Sequence, residues 1–372
     1  MAGCHKARLV VRGDTQVEGV DFQETFSHVI KISTVKTLVV VDIKQHRPLF
    51  QLDVNNAFLH GDLDKEVFIR PLGNGIPSYL KPCILEDILI LSMIIPCLPG
   101  YFLDDQFKIK DLGSLNYFLG IDVLHTTSGV LLHQRKFILD LLAEFHSDAC
   151  SPITCPLELN VKLKDRVGNY LPMPEEYRSL ISKLNFFTHT RHDLNFVVQH
   201  LSQFMQQPCE PQMKVALHLL RYLRGTSDFG IFFNNSSDLS LQVYCDSDWG
   251  SCPESRRSVY GFCIFLGRSL ISWKSKKHVV ISLSLAETEY MAMSKVVAKT
   301  IWVCRLLTDF GFPSALHILH FCDSMSAIHN ARNPVFHERT NYFELDCHFV
   351  RSKLAEGLIS LSHTSSASQL AC

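Results

Sequence analysis

Three carboxylates occupy positions from which they could meet: Asp246 in Tyr244-Cys-Asp-Ser-Asp-Trp249, Glu289 in Ser284-Leu-Ala-Glu-Thr-Glu-Tyr290 and Asp323 in Leu319-His-Phe-Cys-Asp-Ser324. Hard oxygen ligands suit Mg²⁺ or Mn²⁺, and two such ions about 3.5 to 4 Å apart clamp both oxygens of a phosphoryl displacement. Each carboxylate is placed by its own element. The alternation from Leu239 to Tyr244 predicts a half-buried strand whose end delivers Asp246 to a sheet rim. Ser284 with Glu287 has capping-box spacing, so a helix starts there and carries Glu289 just inside its first turns. Leu316 to Cys322 predicts a second strand with Asp323 at its end. Without metal such a cluster is costly, because like charges forced together raise one another's pKa.

Nearby acids have plainer roles. Glu287 is read as the helix cap, and Asp248 as solvent-facing, although it shares a strand face with Asp246. Glu344 and Asp346, on an expected helix, read as a surface charge pair, with an outer ligand as the alternative. Trp273-Lys-Ser-Lys-Lys-His278 and Arg256-Arg257 set cations beside aromatic residues, which suits contact with a nucleic-acid backbone; a strand edge protected by lysine is an equal alternative.

The bulk of the chain sets limits on these readings. Its 372 residues leave room for two or three modest domains, and 47% apolar content excludes a largely disordered protein. A net charge of −1 gives no global sign of a nucleic-acid binder, so any such grip must be local. The thirteen cysteines form no Cys-x-x-Cys pair and read as reduced and intracellular, and the N-terminus has no apolar signal region. Ile88 to Leu98, the most apolar run, contains Pro96 and is far shorter than the roughly 20 residues that span a bilayer, so it reads as a buried strand and no membrane partner is expected.

Along the chain, residues 1 to about 125 are rich in β-branched strand runs and 126 to 238 looks helical. Helices are predicted over Gln134 to Phe145, Tyr177 to Phe187, Leu194 to Met205, and Met213 to Leu223 before Gly225. The polar segment Phe233-Asn-Asn-Ser-Ser-Asp238 marks a boundary before a last domain, 239 to 372.

The carboxylate segments resemble the ribonuclease H domain of copia-type LTR retrotransposon polyproteins. Further blocks agree in order, among them Lys6-Ala-Arg-Leu-Val10, Leu52-Asp-Val-Asn-Asn-Ala-Phe-Leu-His-Gly61, Phe118-Leu-Gly-Ile121, Gln199-His-Leu-Ser-Gln-Phe-Met205, Leu220-Arg-Tyr-Leu-Arg-Gly225, Ile271-Ser-Trp-Lys-Ser-Lys276 and Asn333-Pro-Val-Phe-His-Glu-Arg-Thr340. The resemblance implies an α/β chain: partial reverse-transcriptase fingers and palm (1–125), a helical thumb or connector (126–238), and a ribonuclease H-like mixed five-stranded sheet with flanking helices (239–372) that lacks its closing helix. It implies Asp246, Glu289 and Asp323 as catalytic metal ligands, Mg²⁺ or Mn²⁺ as cofactor, and an RNA/DNA hybrid or template-primer as partner. The expected setting is intracellular, cytoplasmic or nuclear; the oligomeric state stays open.

By the same resemblance Asp53 matches the first metal-binding aspartate of a polymerase palm, with Asp87 its partner, while Glu86 and Ile84 stand where the family has Asp and Tyr. A glutamate reaches one methylene further, and catalytic groups must be held within about 0.5 Å. Lys6 and Arg8 resemble contacts to an incoming triphosphate, Phe58 the ring that excludes a ribose 2′-hydroxyl, and Phe118-Leu-Gly-Ile-Asp122 the hairpin that grips a primer end. A long fingers and palm block expected between Leu72 and Cys83 is absent, as are the upstream fingers strands. In the ribonuclease H-like half, Gln369-Leu-Ala-Cys372 places Cys where the family has a fourth Asp, and a thiol is a poor Mg²⁺ ligand. Two readings follow: a reverse transcriptase and ribonuclease H fragment whose polymerase is inactive and whose hybrid cleavage is in question, or a catalytically dead remnant that at most binds nucleic acid.

Overall fold

The computed structural model describes residues 31–54, 109–158, 163–164, 166–312, 317–333 and 344–371. Lys6, Arg8, Phe58, Glu86, Asp87, the run 88–98, the block 334–340 and Cys372 lie outside the described residues. The chain divides into two compact units, 32–47 with 116–372 forming one and the remainder the other. In the smaller unit β1 (Phe50–Val54) pairs antiparallel with β2 (Ile109–Ser114), with Asp53 opposite Lys110 near the strand end.

The larger unit begins with α1 (Ile32–Lys44), where Val35, Val39, Val40 and Ile43 are buried. After it β3 (Tyr117–Phe118) and β4 (Ile121–Thr126) form a tight hairpin. Both of its turn residues have positive φ, Leu119 at 47° and Gly120 at 75°, the backbone twist that suits a two-residue hairpin. Strand β5 (Gly129–His133) follows, then α2 (Arg135–Glu144), α3 (Pro174–Phe187), α4 (Asn195–Leu201) and α5 (Glu210–Gly225), and β6 (Gly230–Asn234) returns to pair with β5. The helices enclose one apolar core that includes Ile138, Leu141, Tyr177, Leu184, Val198 and Leu220. The stretch 126 to 238 that reads as helical is thus closed by strands at both ends. Five-residue apolar runs such as Gly129–His133 are too short for periodicity to separate strand from helix.

The remaining elements are β7 (Leu241–Asp248), β8 (Val259–Leu266), β9 (Ser269–Lys277), α6 (Leu285–Asp309), β10 (Ile318–Cys322), α7 (Met325–Arg332), α8 (Glu344–Ala355) and β11 (Ile359–His363). They build a mixed sheet in the order β11-β10-β7-β8-β9, antiparallel through β7, β8 and β9 and parallel through β7, β10 and β11. Parallel neighbours need crossovers, which α6 supplies into β10 and α7 with α8 into β11. One face of α6 is fully buried at Tyr290, Met293, Val296 and Val297. At the far edge the Lys36 ammonium of α1 lies 3.5 Å from the centroid of the Trp273 ring on β9, and burial holds its pKa well below the usual lysine value.

Inside this sheet His320 of β10 is fully buried, and neither ring nitrogen has a hydrogen-bond partner. Burial lowers its pKa to about 3, so the fold loses stability as pH falls below the ordinary histidine value towards that point. Unpaired buried polar groups cost about 1 to 3 kcal/mol. His320→Leu is therefore expected to stabilise the chain by about that much at neutral pH. Urea titrations of both proteins would read the difference, and a variant less stable than the parent would show that the ring has a partner.

Candidate active site

The three carboxylates come from the elements that the sequence assigns to them. Asp246 lies on β7, whose alternation turns Cys245 and Ser247 to one face and Asp246 and Asp248 to the other. Ser247 Oγ meets Thr288 Oγ1 at 2.8 Å, which fixes the Ser247 face against the first turns of α6. Ser284 caps that helix by accepting from Glu287 N–H at 3.2 Å, and the Glu287 carboxylate accepts in turn from Leu283 N–H at 2.7 Å. Glu287 is thereby occupied, one residue upstream of the usual capping-box donor. Two residues on, Glu289 turns into the protein and is only 3% exposed. Asp323 follows the last residue of β10, with Ser366 Oγ donating to its Oδ2 at 2.8 Å.

Oxygens of Glu289 and Asp323 and the sulfur of Cys322 all lie within 4.8 Å of one another. Asp246 stands outside this tight group but within electrostatic range of Glu289. Burial, chiefly, with repulsion from Cys322, Asp246 and Asp323, pushes the Glu289 pKa up to about 9; Ser247 N–H opposes the shift. Glu289 Oε2 has no hydrogen-bond partner, a vacancy that fits a cation. Asp248 is also raised, first by burial and then by Asp246.

Two cysteines escaped the sequence reading. Cys245 Sγ donates to the Phe321 carbonyl at 3.9 Å, and Cys322 Sγ, within 4.8 Å of Glu289 and Asp323 oxygens, accepts from Ser324 N–H at 3.4 Å. Their signal was in plain view, since a Cys-Asp dipeptide lies within β7 and another spans the end of β10. The segment after β11, marked in the sequence by Gln369-Leu-Ala-Cys372, packs against β7 and β8. Gln369 donates to the Cys245 carbonyl at 2.9 Å, and the Ala371 carbonyl lies 2.2 Å from where a β-carbon on Gly261 would stand, so only glycine fits opposite Asp246 on β8.

Beside Asp246 and Asp248 opens a cleft of about 330 Å³, walled by His192, Asn195, Phe196, Trp273 and Lys274. The aromatic and basic pairing expected at Trp273-Lys274 thus lies on the same cleft as Asp246. Asp346 lies elsewhere, accepting from Ser294 Oγ at 2.7 Å, and His363 is exposed at the end of β11, paired with Cys322. Of the polymerase metal-site and nucleotide-site residues, only the backbone of Asp53 is described, while the Phe118–Asp122 hairpin is formed by β3 and β4.

A family model for reverse transcriptase (RNA-dependent DNA polymerase) matches residues 1–87. The retrovirus-related Pol polyprotein from transposon RE1 of Arabidopsis thaliana is 33% identical over 99% of this chain, and that from transposon TNT 1-94 of Nicotiana tabacum 29% identical over 93%. The chain spans 29% and 31% of their lengths, respectively. An uncharacterized mitochondrial protein of Arabidopsis thaliana is 36% identical over 59% of this chain and 91% of its own. Among solved structures, the N-terminal RNase H domain of a Mycobacterium tuberculosis protein covers 35% of this chain and 86% of its own at 14% identity and a TM-score of 0.25. An RNase H1 isolated from compost covers the same shares at 12% identity and a TM-score of 0.28. The chain belongs to the retrovirus-related Pol polyproteins of copia-type transposons, whose reverse transcriptase region it carries.

Proposed function

We propose that the larger unit is a ribonuclease H-type nuclease, cutting the RNA strand of an RNA/DNA hybrid at Asp246, Glu289 and Asp323. The buried, unpartnered Glu289 oxygen carries this reading, because a carboxylate held dry beside two others calls for a cation. Mg²⁺ or Mn²⁺ held there would supply Lewis acidity to the attacking water and the departing 3′ oxygen. The protein's share is placement. Ser247 N–H and α6 fix Glu289, and Ser366 Oγ orients one oxygen of Asp323. The cleft beside Asp246 offers Trp273 for stacking and Lys274 for a phosphate, contacts that follow the shape of a strand without reading its bases.

DNA synthesis is not assigned, because Glu86 replaces the aspartate of the polymerase motif. A binding-only reading draws on a different observation: Cys322, a poor Mg²⁺ donor, completes the tight group while Asp246 stands outside it. Incubating the full chain with a labelled RNA/DNA hybrid, in Mg²⁺ or EDTA, separates the two. The nuclease reading expects metal-dependent cutting that Asp246→Asn abolishes. Hybrid retention without cutting by a folded chain would establish binding alone.

A further inference from the structure

Cys322 does more than floor the carboxylate site. Its sulfur, on the strand next to that of Cys245, accepts from Ser324 N–H at 3.4 Å. A backbone donor aimed at the sulfur holds it as an acceptor, the form in which a sulfur ligates metal. The same sulfur lies within 4.8 Å of oxygens from Glu289 and Asp323, and Glu289, 3% exposed, keeps one oxygen without a partner. One soft and two hard donors on three elements are a mismatch for Mg²⁺ and a match for a borderline ion.

We propose that Cys322, Glu289 and Asp323 form a binding site for a Zn²⁺-class ion, with Ser324 N–H positioning the Cys322 sulfur. A tetrahedral ion with Zn–S near 2.3 Å and Zn–O near 2.0 to 2.2 Å sets its donors roughly 3.5 Å apart. Closing from 4.8 Å or less to that spacing is within reach of side-chain rotation. Three protein donors would leave a fourth position for water. Because Glu289 and Asp323 serve both ions, the Zn²⁺-class ion excludes Mg²⁺ from them. Binding stands apart from the cleavage reading; only an inhibitory consequence rests on it.

The test is Co²⁺ titration of the reduced, metal-free full chain, read in the near ultraviolet where thiolate-to-cobalt charge transfer absorbs. A saturable band is expected. It should vanish in Cys322→Ser and persist in Cys304→Ser, which alters a buried cysteine on α6. Glu289→Gln should weaken Co²⁺ binding by at least about tenfold, which keeps the test decisive should Cys322→Ser fail to fold. Zn²⁺ should bleach the band where a large excess of Mg²⁺ does not. No band from the folded parent, a band that survives Cys322→Ser, unchanged affinity in Glu289→Gln, or bleaching by Mg²⁺ as readily as by Zn²⁺ would overturn the site. A chain that binds Co²⁺ in this way and cuts no hybrid would sink the nuclease reading and leave this one standing.

Discussion

Glu289→Gln is expected to change the chain in two opposite directions: Mg²⁺-dependent hybrid cleavage falls by at least about a hundredfold, while the metal-free fold becomes more stable. The first effect follows from losing a charged ligand worth several kcal/mol at a phosphoryl transition state. The second follows from the carboxyl's raised pKa. Its ordinary value is 4.5 and its folded value about 9, so the folded state keeps a proton that the unfolded state releases. Between those values every rise in pH favours unfolding, by about 1.4 kcal/mol per unit, or on the order of 3 kcal/mol at pH 7. Glutamine carries no such term. Urea midpoints in EDTA near about pH 5 and about pH 8 should therefore diverge in the parent and nearly coincide in the variant. Parallel pH dependence in both proteins would show that Glu289 is not the strained group.

Asp193→Ala should lower stability by about 3 to 5 kcal/mol, the cost of leaving a buried charge without its partner. Arg191 is 1% exposed, and its Nε and Nη2 donate to the two Asp193 oxygens at 3.0 and 2.7 Å. Its other side-chain hydrogen bonds go to Thr226, to the carbonyl and to Oγ1, each at 2.8 Å, and the guanidinium lies 5.4 and 5.5 Å from the Tyr222 and Phe229 ring centroids. Tyr222 donates to Asp193 Oδ2 at 2.9 Å. Burial raises the Asp193 pKa, but Arg191 and Tyr222 outweigh it and hold the group below its ordinary value. Its contribution is present above that value and lost as pH falls through the lower, folded one. Guanidinium denaturation of Asp193→Ala, with Arg191→Leu and the double variant, isolates the pair. A loss under about 1 kcal/mol would mean that Thr226 suffices for the cation.

What could be read in advance was the part of the structure that local pattern controls. Period-two alternation into Asp246, the Ser284 cap ahead of Glu289 and the strand before Asp323 predict elements that the structure contains, because each is dictated within a few residues. Helices at 135–144, 174–187 and 210–225 were legible for the same reason. Contacts distant in sequence were not. Nothing local in Arg191-His192-Asp193 says that this corner walls a cleft with Trp273, or that Lys36 lies against the same ring. The nearness of Cys322 to Glu289 was hidden for the same reason, since the two residues lie on separate elements far apart in sequence.

The pairing of β5 with β6 has a consequence for rearrangement of the chain. His133 and Gly230 are register partners, so the chain departs for its helices and comes back within one interstrand spacing, about 4.8 Å. The whole run between them is topologically a detachable cassette: rejoined by a short turn, the two strands would keep their register. What ties the cassette down is lateral, through the His192 ring against Trp273 and the Lys277 ammonium on Gln203 Oε1 at 2.6 Å. Excision would thus spare the strand order on both sheets and strip one wall from the cleft beside Asp246.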